Sequence, residues 1–258
     1  METPLKIDFT KAHGCGNDFL IVEGRPEDHA DPAALARAIC DRHTGVGADG
    51  LYLLDGHSVH LYNSDGSPAT LSGNGTRCVA AKLAAAGEGP GLGQVIRIET
   101  GAGPRELRLT SRQGNLFHFA MNLGRVPVSP GPAGSLDVAI GNPQCINLVE
   151  SFDFDWKRRG AELERHPHYP DRTNVEFVRV VDRHRIEIRI WERGAGWTLS
   201  SGTGAAASAV AAVHAGQAEY PVTVVTEGGE LSVESDAGEI VLNGPAEIIA
   251  DGVFYSSH

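Results

Sequence analysis

Two segments of the chain carry nearly the same chemistry. One reads Ser72-Gly73-Asn74-Gly75-Thr76-Arg77, the other Ser201-Gly202-Thr203-Gly204-Ala205-Ala206. Each sets a hydroxyl residue before Gly-polar-Gly and an Ala-rich run. A small hydroxyl residue at a glycine-rich helix start sits where backbone N–H groups point outward and can hold an anion. Two such corners predict a carboxylate gripped between two helix N-termini, with one reactive side chain, Ser72 or Ser201, on each side of it.

The elements that must position these corners follow from periodicity. The run 75–86 predicts a helix, ended by Gly87-Glu88-Gly89-Pro90. The run 204–215 predicts a second, closed by Gly216. Both are small and apolar on most faces, which predicts helices enclosed by sheet. Short apolar strands are expected at 6–9, 19–22, 50–54, 59–62, 95–100, 105–110 and 116–122. In the second half they are expected at 137–140, 175–181, 185–191, 222–226, 230–234 and 239–242. Helices are also predicted over 33–40, after Asp31-Pro32, and over 152–164, with Trp156 and Leu163 inward. The recurrence of one Ser-Gly-polar-Gly-helix unit at matching places predicts an internal duplication. The expected fold is α+β: two pseudo-symmetric halves, each a curved, mostly antiparallel sheet wrapped around a central helix. The expected halves are 1–120, with a tail of about 248–258 returning to it, and 121–247.

Composition narrows the function classes. At 258 residues, with 41% hydrophobic and 21% charged content, the sequence is that of a soluble globular protein. A formal net charge of −11 argues against nucleic-acid or anionic-membrane partners. No apolar run approaches the roughly 20 residues of a membrane span. Met1-Glu2-Thr3-Pro4-Leu5-Lys6 shows no basic start followed by an apolar stretch, so a cytoplasmic location is expected. Cys15, Cys40, Cys78 and Cys145 are scattered without a C-x-x-C pair, which predicts free thiols and no metal site. Cys15 and Cys145 lie beside motif residues, yet packing is their expected role. His166-Pro167-His168 reads as a polar loop, because the proline spoils any helical metal face.

The motifs together resemble the diaminopimelate epimerase family nearly end to end. They are His13-Gly14-Cys15-Gly16-Asn17-Asp18-Phe19, the 41–50 segment Asp-Arg-His-Thr-Gly-Val-Gly-Ala-Asp-Gly, and Asn63-Ser64-Asp65-Gly66-Ser67. Gly141-Asn142-Pro143-Gln144, Arg172-Thr173-Asn174-Val175-Glu176-Phe177, Glu192-Arg193-Gly194, Gly228-Gly229 and Gly244-Pro245-Ala246-Glu247 continue the pattern. The resemblance implies conversion of LL- to meso-diaminopimelate in lysine biosynthesis, with no cofactor and no metal. In such enzymes two cysteines flank the substrate α-carbon; one thiolate takes the α-proton and the other thiol delivers one to the opposite face. The implied partner is a small-molecule amino acid or related acid, and pairing into a homodimer is common in the family.

The resemblance also assigns positions. Asn17, Asn63, Asn174, Glu192 and Arg193 match residues that grip the distal amino-acid centre, where Arg193 would meet a carboxylate and Glu192 an ammonium. Asn142, Gly73, Asn74, Gly202 and Thr203 match those around the reacting carbon. Three positions depart. Ser72 and Ser201 stand where the family has Cys, and Gln144 stands where it has His. Serine is a poor carbon-acid base, and Gln cannot take a proton. Serines introduced in place of cysteines would leave Gln144 unexplained. A weak epimerase with activated serines is a second reading. A divergent isomerase, lyase or cyclase on the same scaffold is a third, and a non-catalytic binder of an amino acid is the alternative from another class.

Overall fold

A computed structural model describes residues 5–256 of the chain. They divide into two compact units: one runs through Ala120 and resumes at Pro245, and the other is Met121–Gly244.

The first unit contains β1 (Leu5–Gly14), β2 (Asn17–Glu23), α1 (Pro32–Cys40), β3 (Gly50–Asp55), β4 (Ser58–Asn63), β5 (Pro68–Ala69), α2 (Gly73–Ala86), β6 (Val95–Thr100), β7 (Gly103–Gln113) and the start of β8 (Leu116–Gly124), which runs on into the second unit. The second contains β9 (Val128–Pro130), β10 (Leu136–Ala139), β11 (Pro143–Leu148), α3 (Trp156–Glu164), β12 (Asn174–Asp182), β13 (Arg185–Glu192), β14 (Gly196–Thr198), α4 (Gly202–His214), β15 (Val222–Thr226) and β16 (Gly229–Asp236). The strand β17 (Glu239–Ser256) begins in the second unit and ends in the first.

The two units repeat one plan. In the first, β1–β2 and β3–β4 are antiparallel, β2–β3 and β4–β6 parallel, and β6–β7 antiparallel. In the second, β10–β11 and β12–β13 are antiparallel, β11–β12 and β13–β15 parallel, and β15–β16 antiparallel. The parallel joins recur because the same two crossovers carry a helix in each unit: α1 and α3 in one, α2 and α4 in the other. The sheets are therefore mixed, antiparallel in most joins with a pair of parallel joins in each unit.

Alternation explains how β2 and β3 are covered on both sides. Phe19 and Ile21, with Tyr52 and Leu54, face α2 together with Ile98, Leu107, Phe117 and Phe119. Leu20 and Val22, with Leu51 and Leu53, face α1 through Leu35, Ala36 and Ile39. A strand buried on both faces reads as a continuous apolar run, as 19–22 and 51–54 do. The central helices α2 and α4 are buried along most of their length, down to Ala80, Ala81, Ala206, Ala209 and Ala211. Alanine lets strands of the same unit approach a helix from several sides. α4 touches β9 through β13, β15 and β16.

Asp31 caps α1 by accepting from the Ala34 N–H at 2.9 Å, with Pro32 at the first helical position. α3 begins at Trp156, not at 152, because Asp155 caps it by accepting from the Arg158 N–H at 3.1 Å. β17 continues well past the expected 242, and its last part pairs antiparallel with β1 from His13↔Glu247 to Leu5↔Ser256. No helix among the described residues is long and apolar enough to cross a membrane.

Candidate active site

Ser72 starts α2. Its backbone is extended (φ −130°, ψ 123°), and its Oγ accepts from the Gly75 N–H at 3.1 Å. Its carbonyl receives both the Thr76 N–H and the Thr76 hydroxyl at 2.8 Å. The side chain is thus the N-cap, and the N–H groups of Gly73 and Asn74 have no carbonyl within the helix to receive them. A serine oxygen aimed at backbone donors at the positive end of a helix is the place where negative charge is best tolerated.

Gly75 is required by the close approach of the sheet. A Cβ there would lie 2.4–2.8 Å from the ring and hydroxyl of buried Tyr52. Gly75→Ala is expected to lower stability by about 1–3 kcal/mol, as overpacked cores do, read as a fall in the urea midpoint with an unchanged slope.

Asn74 and Asn17 are brought together beside this cap. The Asn74 Nδ2 donates to Asn17 Oδ1 at 3.3 Å, and the Asn74 Oδ1 accepts from Arg77 Nη2 at 2.5 Å. Arg77 is fully buried; its Nε donates to the Pro245 carbonyl at 3.1 Å, and burial pushes its pKa down. The Asn17 Nδ2 donates to Asp49 Oδ2 at 2.7 Å. Arg42 ties Asp49 to Asp18 at 2.9 and 2.6 Å, and Lys11 meets Asp18 at 3.1 Å. Burial alone would raise the Asp18 pKa; the hydrogen bonds from Arg42 and Lys11 outweigh it and hold the carboxyl below its ordinary value. Asn17 is therefore fixed from both ends. Asn63 is placed differently: its Nδ2 donates to Ser67 Oγ at 2.9 Å within the 63–67 turn, and its side chain is exposed.

Ser201 starts α4 in the same way. Its backbone is extended (φ −138°, ψ 125°), its Oγ accepts from the Gly204 N–H at 3.2 Å, and only 7% of the residue is exposed. The Thr203 Oγ1 lies 3.5 Å from Ser201 Oγ. Gln144 and Asn142 reach this cap from β11 and the loop before it. One end of the Gln144 amide lies 2.8 Å from Asn142 Oδ1, 3.2 Å from Thr203 Oγ1 and 3.1 Å from Asn174 Nδ2. Its other end lies 2.8 and 3.2 Å from the carboxyl oxygens of Glu176.

Asn174 links this group to the turn bearing Glu192 and Arg193, because its Oδ1 accepts from the Arg193 N–H at 2.8 Å. The Arg193 Nη1 donates to the Asp171 carbonyl at 3.1 Å. The turn is held from below by Glu164, which is 3% exposed and accepts from the Trp191 indole and the Gly194 N–H, each at 3.0 Å. Burial pushes the Glu164 pKa up, but those two bonds and the nearby Arg172 charge outweigh it and hold the carboxyl below its ordinary value.

Four features of these surroundings escape the motif reading. Glu164, Glu176 and Arg77 are buried charged residue types; Glu176 and Arg77 fall inside motifs that assign them no role, and Glu164 ends a helix whose other charged residues are at least partly exposed. His168 is more than a member of a polar loop. Its Nε2 lies 2.7 Å from Asp137 Oδ2, whose other oxygen accepts from the Tyr169 hydroxyl at 2.5 Å. These residues line a cavity of about 350 Å³ with Pro127, Pro143 and Gln144.

The four cysteines are buried and none is in a disulfide, and no group of His, Cys, Asp and Glu among the described residues has the geometry to hold a metal. Burial pushes Cys40 and Cys78 up to about 12, and raises Cys145. Thiols kept protonated and covered do not react. Native protein at neutral pH is expected to take up no iodoacetamide within an hour, and four equivalents after denaturation; mass spectrometry reads both.

The fold is shared by solved structures of epimerase and racemase type. A predicted epimerase from Pseudomonas aeruginosa superposes with a TM-score of 0.72 at 16% identity, over 95% of this chain and 98% of that one. A phenazine biosynthesis protein of the PhzF family from Bacillus anthracis gives 0.71 at 14% identity, over 98% and 99%. A probable proline racemase from Agrobacterium radiobacter gives 0.66 at 17%, over 95% and 92%. The fold class is therefore the one these solved structures share.

The diaminopimelate epimerase family model matches residues 9–128 and 137–249. The diaminopimelate epimerase of Desulforudis audaxviator is 39% identical over 95% of this chain and 98% of its own length. That of Rippkaea orientalis is 36% identical over 97% and 99%. The chain belongs to the diaminopimelate epimerase family.

Proposed function

We propose that the chain acts without a cofactor at the α-carbon of diaminopimelate, or of a closely related amino acid, with Ser72 and Ser201 at the two positions of the proton-transferring pair. The observation that carries this reading is the repeat: each unit holds a serine as the N-cap of its central helix, with Oγ accepting from the glycine N–H three residues on. The N–H groups at each helix start suit an α-carboxylate and the charge that develops on it during proton removal. Beside Ser72 the polar residues of the proposed set are Asn17 and Asn74; in the unit of Ser201 they are Asn142, Asn174, Gly202, Thr203, Glu192 and Arg193. Asn63 belongs to the same proposed set through its family motif. The ligand is a small zwitterion, and the reading places the protein in the cytoplasm.

Serine limits the rate. Each unit of pKa separating an alkoxide from a thiolate costs about 1.4 kcal/mol in the base, and no His assists at position 144. That observation favours the second reading, a divergent isomerase, lyase or cyclase in which the serines donate hydrogen bonds and shape supplies the catalysis.

One experiment separates them. LL-diaminopimelate is incubated in D₂O with the native protein and with a Ser72→Cys/Ser201→Cys variant, and α-deuterium is followed by mass spectrometry. Slow incorporation with the native chain and fast incorporation with the variant is the expected result. Incorporation with neither overturns the first reading in favour of an unrelated substrate.

A further inference from the structure

Glu176 has no place in the chemistry so far. It sits on β12, 0% exposed, with its carboxyl against the first turn of α4: a Cβ on Gly204 would lie 2.5 Å from its Oε1. A carboxyl group in that position must be satisfied by something polar. The group that reaches it is the Gln144 amide, at 2.8 and 3.2 Å.

Which end of the amide faces Glu176 is decided by Asn174. The Asn174 Oδ1 is occupied by the Arg193 N–H at 2.8 Å, so its Nδ2 is what points at Gln144, 3.1 Å away. A donor there requires the Gln144 oxygen. The Gln144 Nε2 then donates to Glu176, and the Gln144 Oε1 accepts from Asn174 and from the Thr203 hydroxyl at 3.2 Å. The Asn142 Oδ1 position lies 2.8 Å from that oxygen, so the assignment requires the Asn142 amide to be turned as well, with its nitrogen there. With the Thr203 hydrogen spent on Gln144, the Thr203 oxygen is left to accept from the Ser201 hydroxyl at 3.5 Å.

We propose that Glu176 is a positioning residue for the Ser201 cap. It takes the Gln144 N–H, turns the Gln144 oxygen onto Thr203, and so sends the Ser201 hydroxyl hydrogen inward along a chain in which every donor points toward Glu176. The Ser201 oxygen keeps its lone pairs for the Gly204 N–H and for a ligand proton. Hydrogen bonds aligned in one direction polarise one another, which makes that oxygen the better acceptor. Burial, with Glu192 nearby, pushes the Glu176 pKa well above its ordinary value, and its carbonyl oxygen accepts the Gln144 N–H in either protonation state. Glutamine at 176 reproduces that carbonyl; leucine does not. The functional part of this assignment rests on the reading of Ser201 above, whereas the orientation of Gln144 does not.

The test reads the Gln144 side-chain amide protons by NMR, in native protein and in Glu176→Leu, Glu176→Gln and Thr203→Val variants. Protection from solvent exchange is expected in the native chain, lost in Glu176→Leu, and largely restored in Glu176→Gln. Thr203→Val is expected to leave it in place, and this arm decides the matter if Glu176→Leu does not fold. Protection that survives Glu176→Leu, or that Thr203→Val abolishes, overturns the proposal. In parallel, meso-diaminopimelate binding is expected to weaken about tenfold in Glu176→Leu and recover most of that in Glu176→Gln, as loss and return of one buried hydrogen bond predict. If the native protein binds no diaminopimelate, the substrate reading fails while the amide protection still judges Glu176.

Discussion

The Ser72→Cys/Ser201→Cys variant is expected to exchange the α-proton of LL-diaminopimelate faster than the native chain by a factor on the order of 10³ or more. The factor follows from base strength. A thiol ionises near 8.5, and lower still at a helix N-terminus, whereas a serine hydroxyl lies several units higher. Each unit changes the ionised fraction tenfold. The local geometry is already suited to a thiolate: the Gly75 and Gly204 N–H groups point at the Oγ atoms from 3.1 and 3.2 Å. The single variants sharpen the test. A base on one side removes the proton from only one stereoisomer, so Ser72→Cys and Ser201→Cys are expected to label LL- and meso-diaminopimelate with opposite preference. Equal labelling of both isomers by both single variants would show that the two positions do not serve opposite faces of one carbon. The absence of a His at 144 sets a further limit, and Gln144→His in the double variant is expected to raise the rate again by moving the pH profile toward neutrality.

Removing Glu164 is expected to cost about 2–5 kcal/mol of stability, which chemical denaturation will measure. The buried carboxyl accepts from two part-buried donors, the Trp191 indole and the Gly194 N–H, and an N–H left without a partner costs up to about 1–3 kcal/mol. Glu164→Ala strands both. The pH dependence has a definite sign. The folded-state pKa lies below the unfolded one, so the contribution is fully present above the unfolded value, about 4.3, and is lost as pH falls through the folded value. Native protein should therefore weaken in acid more steeply than Glu164→Ala, and the gap between the two curves should narrow at low pH. Because Glu164 also holds Gly194, the variant frees the turn bearing Glu192 and Arg193, and ligand affinity should fall along with stability.

Much of this arrangement was legible because it is written locally. The serine caps, the glycines behind them and the Ala-rich helices are short-range signals, and α2 and α4 begin within two residues of the expected positions. The duplicated plan followed from the repeat of one motif. What the sequence hid depends on distant partners. β5, β9 and β14, the shortest strands, exist only through pairing with β4, β10 and β13 and have no periodicity of their own. Glu176 looks like one charged letter in an apolar strand; its meaning appears only when β11 and β12 lie side by side in parallel, with Gln144 two places from Ile146, its pairing partner. The start of α3 moved because Asp155 competes for the cap, a contest periodicity does not see. At Asn63 the resemblance implies a ligand residue, and the structure shows its amide nitrogen donating to Ser67 Oγ within a turn.

The route of β17 bears on how the polypeptide is made. On the ribosome, β1 emerges early, but its neighbour on one edge, the stretch from Glu247 to Ser256, is translated only after the whole second unit. Until then the nascent first unit carries an open strand edge, the kind of surface that recruits stray chains. Arg77 waits as well, since the Pro245 carbonyl that receives its Nε arrives on the same late segment. Premature termination near 240 would thus release a first unit lacking both its closing strand and the acceptor for a buried cation, a product destined for proteolysis.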